Sequence, residues 1–223
     1  MSLILHIDTS SPLCSVCIAE NGKLIAEKSA TEENLHAKDI SAMITGVLKI
    51  ATIPKESIKA VAINGGPGSY TGLRIGTSVA KGLCYGLDIP LICISSLQAM
   101  AAEMIETQPT TGAVYIPMID ARHGNIYMGI YDPNCQNLLN DTFVTMNEEF
   151  FNIYLRSYKM RYLGGNGVSR QGAEFGTVVE NILSRACNMI ALSFVRFKNK
   201  QFDHLAYYEP FYLKEYEVRT KIN

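Results

Sequence analysis

The chain has 223 residues, of which 48% are hydrophobic and 18% charged, with a formal net charge of −1. That is enough for one large domain or two small lobes, each with its own core. The balanced charge argues against a stand-alone nucleic-acid binder, which needs a Lys/Arg-rich face for phosphates, and no apolar run reaches the roughly 20 residues of a membrane span.

Met1-Ser2-Leu3-Ile4-Leu5-His6 lacks a basic leader region, so a cytoplasmic protein is expected. Leu3 to Ile7 reads as a strand, closed by the polar turn Asp8-Thr9-Ser10-Ser11-Pro12. Cys14 to Glu20 and Lys23 to Lys28 flank Asn21-Gly22, a strong two-residue hairpin signal. From Asn34 the period changes to 3.6. Ile40, Met43, Ile44, Val47, Leu48 and Ala51 form the apolar stripe of a helix that Pro54 stops. Ile58 to Ile63 reads as a buried strand running into Asn64-Gly65-Gly66-Pro67-Gly68-Ser69. A helix follows over Thr71 to Tyr85, then a strand over Leu91 to Ile94. Ser95 or Ser96 caps the next helix, which ends near Glu106.

Gln108-Pro109-Thr110-Thr111-Gly112 reads as a boundary between lobes at 1–108 and 109–223. After it the meander restarts, with strands at Val114 to Ile119, Ile126 to Tyr131 and Leu138 to Thr145. A helix capped by Asn147 follows, then a short strand at Arg161 to Leu163 ending in Gly164-Gly165-Asn166-Gly167. The stretch from Thr177 to Phe197 reads as mostly helical, and the tail as extended. The order strand-strand-strand-helix-strand-helix thus occurs twice, which predicts two related α/β lobes around a cleft.

The glycine-rich stretch 64–76 joins a strand to a helix N-terminus, where backbone N–H groups can meet an anion. It is neither a Walker A loop nor a dinucleotide fingerprint. Gly72, Gly76 and Ala80 recur every four residues, putting small side chains on one helix face. Glycine costs about 1 kcal/mol relative to alanine inside a helix, so the pattern signals a close backbone approach. The partner is either the protein's own sheet or a helix of another chain. Cysteines stand at 14, 17, 84, 93, 135 and 187. Cys14 and Cys17 lie three apart on a strand, so they point to opposite sides and share no metal.

Ile7-Asp8-Thr9-Ser10, Gly66-Pro67-Gly68-Ser69-Tyr70-Thr71-Gly72-Leu73-Arg74-Ile75-Gly76 and Ala80-Lys81-Gly82-Leu83 resemble the TsaB/YeaZ family. So do Ser95-Ser96-Leu97, Asp120-Ala121-Arg122, Gly165-Asn166-Gly167 and Pro210-Phe211-Tyr212-Leu213-Lys214, although the family usually has Arg where Lys214 stands. The resemblance implies an actin/Hsp70/sugar-kinase-like (ASKHA) fold of two duplicated lobes, the second reduced. It further implies a non-catalytic subunit that activates TsaD, the metal-dependent enzyme forming N6-threonylcarbamoyladenosine at position 37 of tRNAs that read ANN codons. The implied partners are TsaD in a heterodimer, the small ATPase TsaE in a larger assembly, a second copy when alone, and tRNA only through the complex. No cofactor is intrinsic, and the complex uses ATP and threonylcarbamoyl-adenylate. The implied interface lies on the two first-lobe helices, through Ile40, Ile44, Gly72, Leu73, Arg74, Gly76 and Ala80.

TsaD-like enzymes hold their metal through two histidines one helical turn apart, and the matching positions here are Ser96 and Met100. A hydroxyl and a thioether are poor ligands for such a metal. His6, His36, His123 and His204 form no such pair. Asp8, Thr9 and Ser10 are candidates for a vestigial nucleotide and Mg²⁺ site; capping of the tight turn by Asp8 is the other reading. Arg122 pairs with Asp120 or Asp8, or meets a partner, and His123 has no mate that would make it a base. Ser69 does not sit in a Gly-x-Ser-x-Gly elbow. A small-molecule kinase or ATPase of the same fold is the alternative function.

Overall fold

The computed structural model describes residues 2–31, 37–145, 147–168 and 174–211. The expected helix start at Asn34, His36 and the tail motif beyond Phe211 lie outside these residues. The first lobe is built on strands β1 (Leu3–Asp8), β2 (Leu13–Glu20), β3 (Lys23–Thr31), β4 (Ala60–Asn64) and β5 (Leu91–Ile94), in the order β3-β2-β1-β4-β5. β1 to β3 are antiparallel, while β4 and β5 run parallel to β1. The β2–β3 turn places Asn21 at φ 49° and Gly22 at φ 79°, the left-handed pair that a tight hairpin requires.

Alternation along β1 sorts the core. Leu3, Leu5 and Ile7 join Val16, Ile18, Val61 and Ile63 on one face. That face is covered by α1 (Ala37–Ala51) and α2 (Tyr70–Leu87), through Ile40, Ile44, Val47 and Ala80. Ile4 points the other way, with Cys17, Ala19, Ala62 and Ile92, toward Ala186, Met189 and Ile190 and toward Ala99 of α3 (Ser96–Thr107). Cys14 and Cys17 accordingly fall on opposite faces of the sheet.

The second sheet repeats the design. Its strands are β6 (Val114–Asp120), β7 (Asn125–Tyr131), β8 (Asn137–Thr145), β9 (Arg161–Gly164) and β10 (Thr177–Val179), ordered β10-β9-β6-β7-β8. β6 to β8 are antiparallel and β9 and β10 run parallel to β6, so each strand has its counterpart in the first sheet. The duplication read from the sequence is therefore real. The second copy is reduced, because the short stretch between Gly164 and Thr177 has no room for a helix as long as α2. After β8, α4 (Glu148–Phe150) continues as one π-type turn to Leu155, and Asn147 Oδ1 accepts from the Phe150 amide.

α3 lies between the sheets. Ala99 packs on the first, while Leu97, Met100, Ala101 and Met104 pack on Tyr115 and Tyr131 of the second. Glu103, Glu106 and Thr107 gather in its C-terminal half, where the helix reaches the surface.

Two expectations are corrected. The stretch 177–197 is not continuously helical: β10 comes first, and only a 3₁₀ turn (Ala186–Met189) and α5 (Ile190–Lys198) follow. Nor does all of 109–223 belong to the second lobe. Ala186, Met189 and Ile190 pack on the first sheet, and among the described residues Asp203 and Phe211 beyond α5 also bond to the first lobe. Asp203 lies against Leu91 on the edge of β5, and the Phe211 amide donates to Gly65 O. No helix among the described residues is long and apolar enough to cross a membrane.

Candidate functional site

The ends of β1 and β4, the start of α3 and the segment before α5 meet at Asp8, which is fully buried. Its Oδ1 accepts from the Ser10 amide at 2.8 Å and from Ser10 Oγ at 2.7 Å. Its Oδ2 accepts from Asn64 Nδ2 at 3.0 Å and from Ser184 Oγ at 2.5 Å. A carboxylate offers about four acceptor positions, and all are used here by the chain itself. Asn64 is shared further: its Oδ1 accepts from the Gly66 amide at 3.0 Å and from Ser96 Oγ. Ser10, Asn64, Ser96 and Ser184 are all buried, so each depends on this network for its hydrogen bonds.

Asp8, Thr9 and Ser10 are therefore brought together, but each is engaged within the chain. Thr9 Oγ1 donates to Gly72 O at 2.7 Å, and Ser10 O accepts from the Ser69 amide at 2.7 Å. This turn is what the glycine loop packs against. A Cβ at Gly68 would lie 2.4 Å from Ser10 O, one at Gly72 1.9 Å from Thr9 O, and one at Gly76 2.3 Å from Thr9 Oγ1. Ser69 caps α2 by accepting from the Gly72 amide, and Gly65 N donates to Ile94 O. The amides of Gly65, Gly66, Ser69 and Gly72 are thus engaged within the chain. The second lobe repeats the arrangement: a Cβ at Gly165 would lie 2.2 Å from Met118 O, and Asn166 Oδ1 accepts from the Asp120 amide.

The expected interface side chains need correction. Ile40, Ile44, Gly72, Leu73, Gly76 and Ala80 are buried in the chain's own fold, the glycines against Thr9 and the others in the core. The close partner of the small-residue stripe is thus the protein's first turn. Arg74 alone of the set is exposed, with its guanidinium 4.1 Å from the centre of the Tyr70 ring. The outward side of α2 instead carries Ser78, Gly82, Tyr85 and Gly86. Tyr85 is 85% exposed, and a Cβ at Gly82 or Gly86 would meet open space.

Ser96 is buried with its hydroxyl donating to Asn64, and Met100 is buried against Tyr115 of the second sheet. Arg122 and His123 sit exposed on the β6–β7 turn in left-handed backbone, where the Arg122 amide donates to Asp120 Oδ1 at 2.8 Å. Among the described residues no group of three His, Cys, Asp or Glu side chains is placed to hold a metal ion. Sequence reasoning missed Ser184 and Asp141. Asp141, on β8, accepts from Tyr131 OH at 2.7 Å and from Ser95 Oγ, which also caps α3. Burial raises its pKa, and those two donors offset part of the rise. Neither residue lies in a recognisable motif, since each acquires its role from a partner distant in sequence.

Burial also pushes the thiols up, to about 11 at Cys84 and Cys187 and about 12 at Cys135, with Cys17 and Cys93 raised as well. Thiolates are the reactive form. Cys84 and Cys17 are expected to resist iodoacetamide at pH 8 in the folded chain and to react on addition of urea, as read by peptide mass spectrometry. Rapid labelling of either in the native protein would contradict the packing described.

Two α/β lobes of matching strand order on either side of a shared helix define the actin-like ATPase and sugar-kinase fold. An inorganic polyphosphate/ATP-glucomannokinase from Arthrobacter sp. strain KM superposes with a TM-score of 0.50 at 12% identity, covering 87% of this chain and 99% of that one. YeaZ from Pseudomonas aeruginosa superposes far better, with a TM-score of 0.80 at 24% identity over 96% of this chain and 100% of that one. The family model of TsaD, tRNA N6-adenosine threonylcarbamoyltransferase, matches residues 23–220. The tRNA threonylcarbamoyladenosine biosynthesis protein TsaB of Haemophilus influenzae is 37% identical over 127 residues, which is 56% of this chain and 51% of that protein. The chain belongs to the TsaB/YeaZ family, within the wider TsaD family. It spans about half the length of the curated relatives it matches.

Proposed function

We propose that this chain is a non-catalytic scaffold in the formation of N6-threonylcarbamoyladenosine at position 37 of tRNAs reading ANN codons, where it activates a TsaD enzyme. It pairs with TsaD, is joined by the ATPase TsaE, meets tRNA only through that assembly, and forms a homodimer when alone. The observation that carries this reading is the saturation of Asp8: the carboxylate best placed to hold a hydrated cation accepts four hydrogen bonds from Ser10, Asn64 and Ser184. The positions matching the metal-binding pair of TsaD support it, since Ser96 is engaged with Asn64 and Met100 is buried in apolar packing. The similarity to TsaB proteins of tRNA threonylcarbamoyladenosine biosynthesis supports the pathway.

The docking surface is the outward side of α1 and α2. Ile50 and Tyr85 are 60% and 85% exposed there, Arg74, Ser78 and Gly82 are exposed on α2, and the space beside Gly82 and Gly86 is open, so another helix has room to approach. Aromatic anchors of this kind typically contribute about 2 kcal/mol to an interface. Gly76→Arg is not a test of docking, because it would break the contact with Thr9. Tyr85→Ala is: heterodimer affinity measured by calorimetry is expected to fall at least ~10-fold with the fold intact.

The function itself is tested by omission. TsaD, threonylcarbamoyl-adenylate synthase, TsaE, ATP, threonine, bicarbonate and unmodified tRNA are combined with or without this chain, and nucleosides are read by mass spectrometry. Modified adenosine is expected only when the chain is present, and the chain is not expected to replace TsaD. Equal modification without it would sink the reading.

A further inference from the structure

Where α1 ends, the chain turns back toward β4 and leaves an open groove of about 510 Å³. Leu48 and Ile53 line it and are half-buried on the first core, so they form its floor. Thr45, Lys49, Thr52 and Lys55 line it too and are exposed. The groove is preformed by backbone bonds. Ile53 N donates to Leu48 O at 3.0 Å and Thr52 N to Lys49 O at 3.2 Å, which closes the last turn of α1. Thr52 closes that turn at φ 57°, where glycine or asparagine is the usual residue and a β-branched side chain is strained. Lys49 has a local reason to be there, since cations suit the last turn of a helix. Lys55 stands beyond the helix and has none. Among the described residues neither lysine makes an ion pair. Lys59 follows as a further exposed cation and Glu56 as one exposed anion. Beside Lys49, Ile50 is 60% exposed. An apolar floor between unpaired cations suits an apolar side chain flanked by carboxylates. A second copy suits it poorly, because a two-fold contact through this end of α1 sets lysine against lysine.

We propose, on the docking reading above, that this groove extends the docking surface of α1 and α2 and receives an acidic segment of TsaD that carries an apolar side chain. The apolar side chain seats on Leu48 and Ile53, and its acidic neighbours meet Lys49 and Lys55. The two helices then supply contact area, while the groove supplies the charge that favours TsaD over a second copy.

The test is calorimetry of the full chain with TsaD at about 0.1 M and about 0.5 M NaCl, between which the screening length falls about two-fold. The double variant Lys49→Glu/Lys55→Glu is expected to bind about 10-fold more weakly at the lower salt and less than about 3-fold more weakly at the higher. Thr45→Trp fills the groove without changing its charge, and is expected to weaken binding about 10-fold at both. Thr45 is exposed and its hydroxyl donates to Ser41 O within its own helix, so the fold is retained. Tyr85→Ala on α2 is the control. If it weakens binding while Thr45→Trp does not, helix docking stands and the groove proposal is overturned. Unchanged binding in all three variants would overturn the docking reading and the groove with it. Tighter binding of TsaD by the double variant would also overturn the proposal, by giving the groove a basic occupant. So would a loss confined to self-association in Thr45→Trp, measured by sedimentation, by giving it a second copy.

Discussion

Gly72→Ala is expected to destabilise the folded chain by about 3 kcal/mol or more, although alanine is the better helix former. The reason is geometric. A Cβ at Gly72 would lie 1.9 Å from Thr9 O, and that carbonyl belongs to a turn whose neighbours are fixed by Asp8 and Ser69. A flexible side chain could swing aside; a backbone oxygen in a saturated network cannot. Moving it would also break the bond from Thr9 Oγ1 to Gly72 O. Gly82→Ala is the internal control on the same helix. Its Cβ would meet open space, so only propensity acts, and a gain of about 0.5–1 kcal/mol is expected. Urea unfolding of both variants checks the pair. If Gly72→Ala proves as stable as Gly82→Ala, the helix does not sit on the first turn as described.

The second large effect is a pH dependence from His6. This ring is fully buried, and loss of hydration lowers its pKa to about 4; interactions with the backbone of Cys17 and Ile4 offset only part of that. In the unfolded chain the pKa returns to about 6.5. Between those values the unfolded state binds a proton that the folded state refuses, so stability rises with pH across the window and is lost as pH falls through it. Above pH 6.5 neither state is protonated and the group has no effect. By pH 5 the loss amounts to about 2 kcal/mol, and it approaches 3 kcal/mol near pH 4. His6→Gln keeps an amide near Ser193 and cannot titrate. Its stability is expected to change less than that of the wild type between pH 7.5 and 5, by about those 2 kcal/mol. Parallel curves for the two proteins would show that His6 is not buried in its neutral form.

Much of the fold was legible in the chain itself because it rests on local chemistry. Asn21-Gly22 selects a tight hairpin, Ser95 and Asn147 supply cap oxygens, and the stripe from Ile40 to Ala51 has one apolar face whatever covers it. The repeated order of strands and helices in 1–108 and 109–164 needed only periodicity and turn residues. The period failed where elements are buried on two sides or are very short. Residues 177–198 combine a three-residue strand, a 3₁₀ turn and one helix, and their apolar content reads as a single amphipathic run.

The candidate site divides along the same line. That Gly72 and Gly76 demand a close backbone approach followed from residue type and spacing alone, since a missing Cβ is a local fact. What approaches them did not. An apolar or small stripe records that a face is covered, and the covering atoms belong to Thr9, some sixty residues away, rather than to another protein. Asp8 was visible as a carboxylate at a strand end, but the donors that occupy it come from Asn64 and Ser184, which only the folded chain brings within reach. Local propensity, turn chemistry and the existence of two lobes were determined by the sequence. Which surfaces remain outside, and whether a polar group is free to act or already satisfied, depends on contacts between distant segments, and the tertiary structure alone decided it.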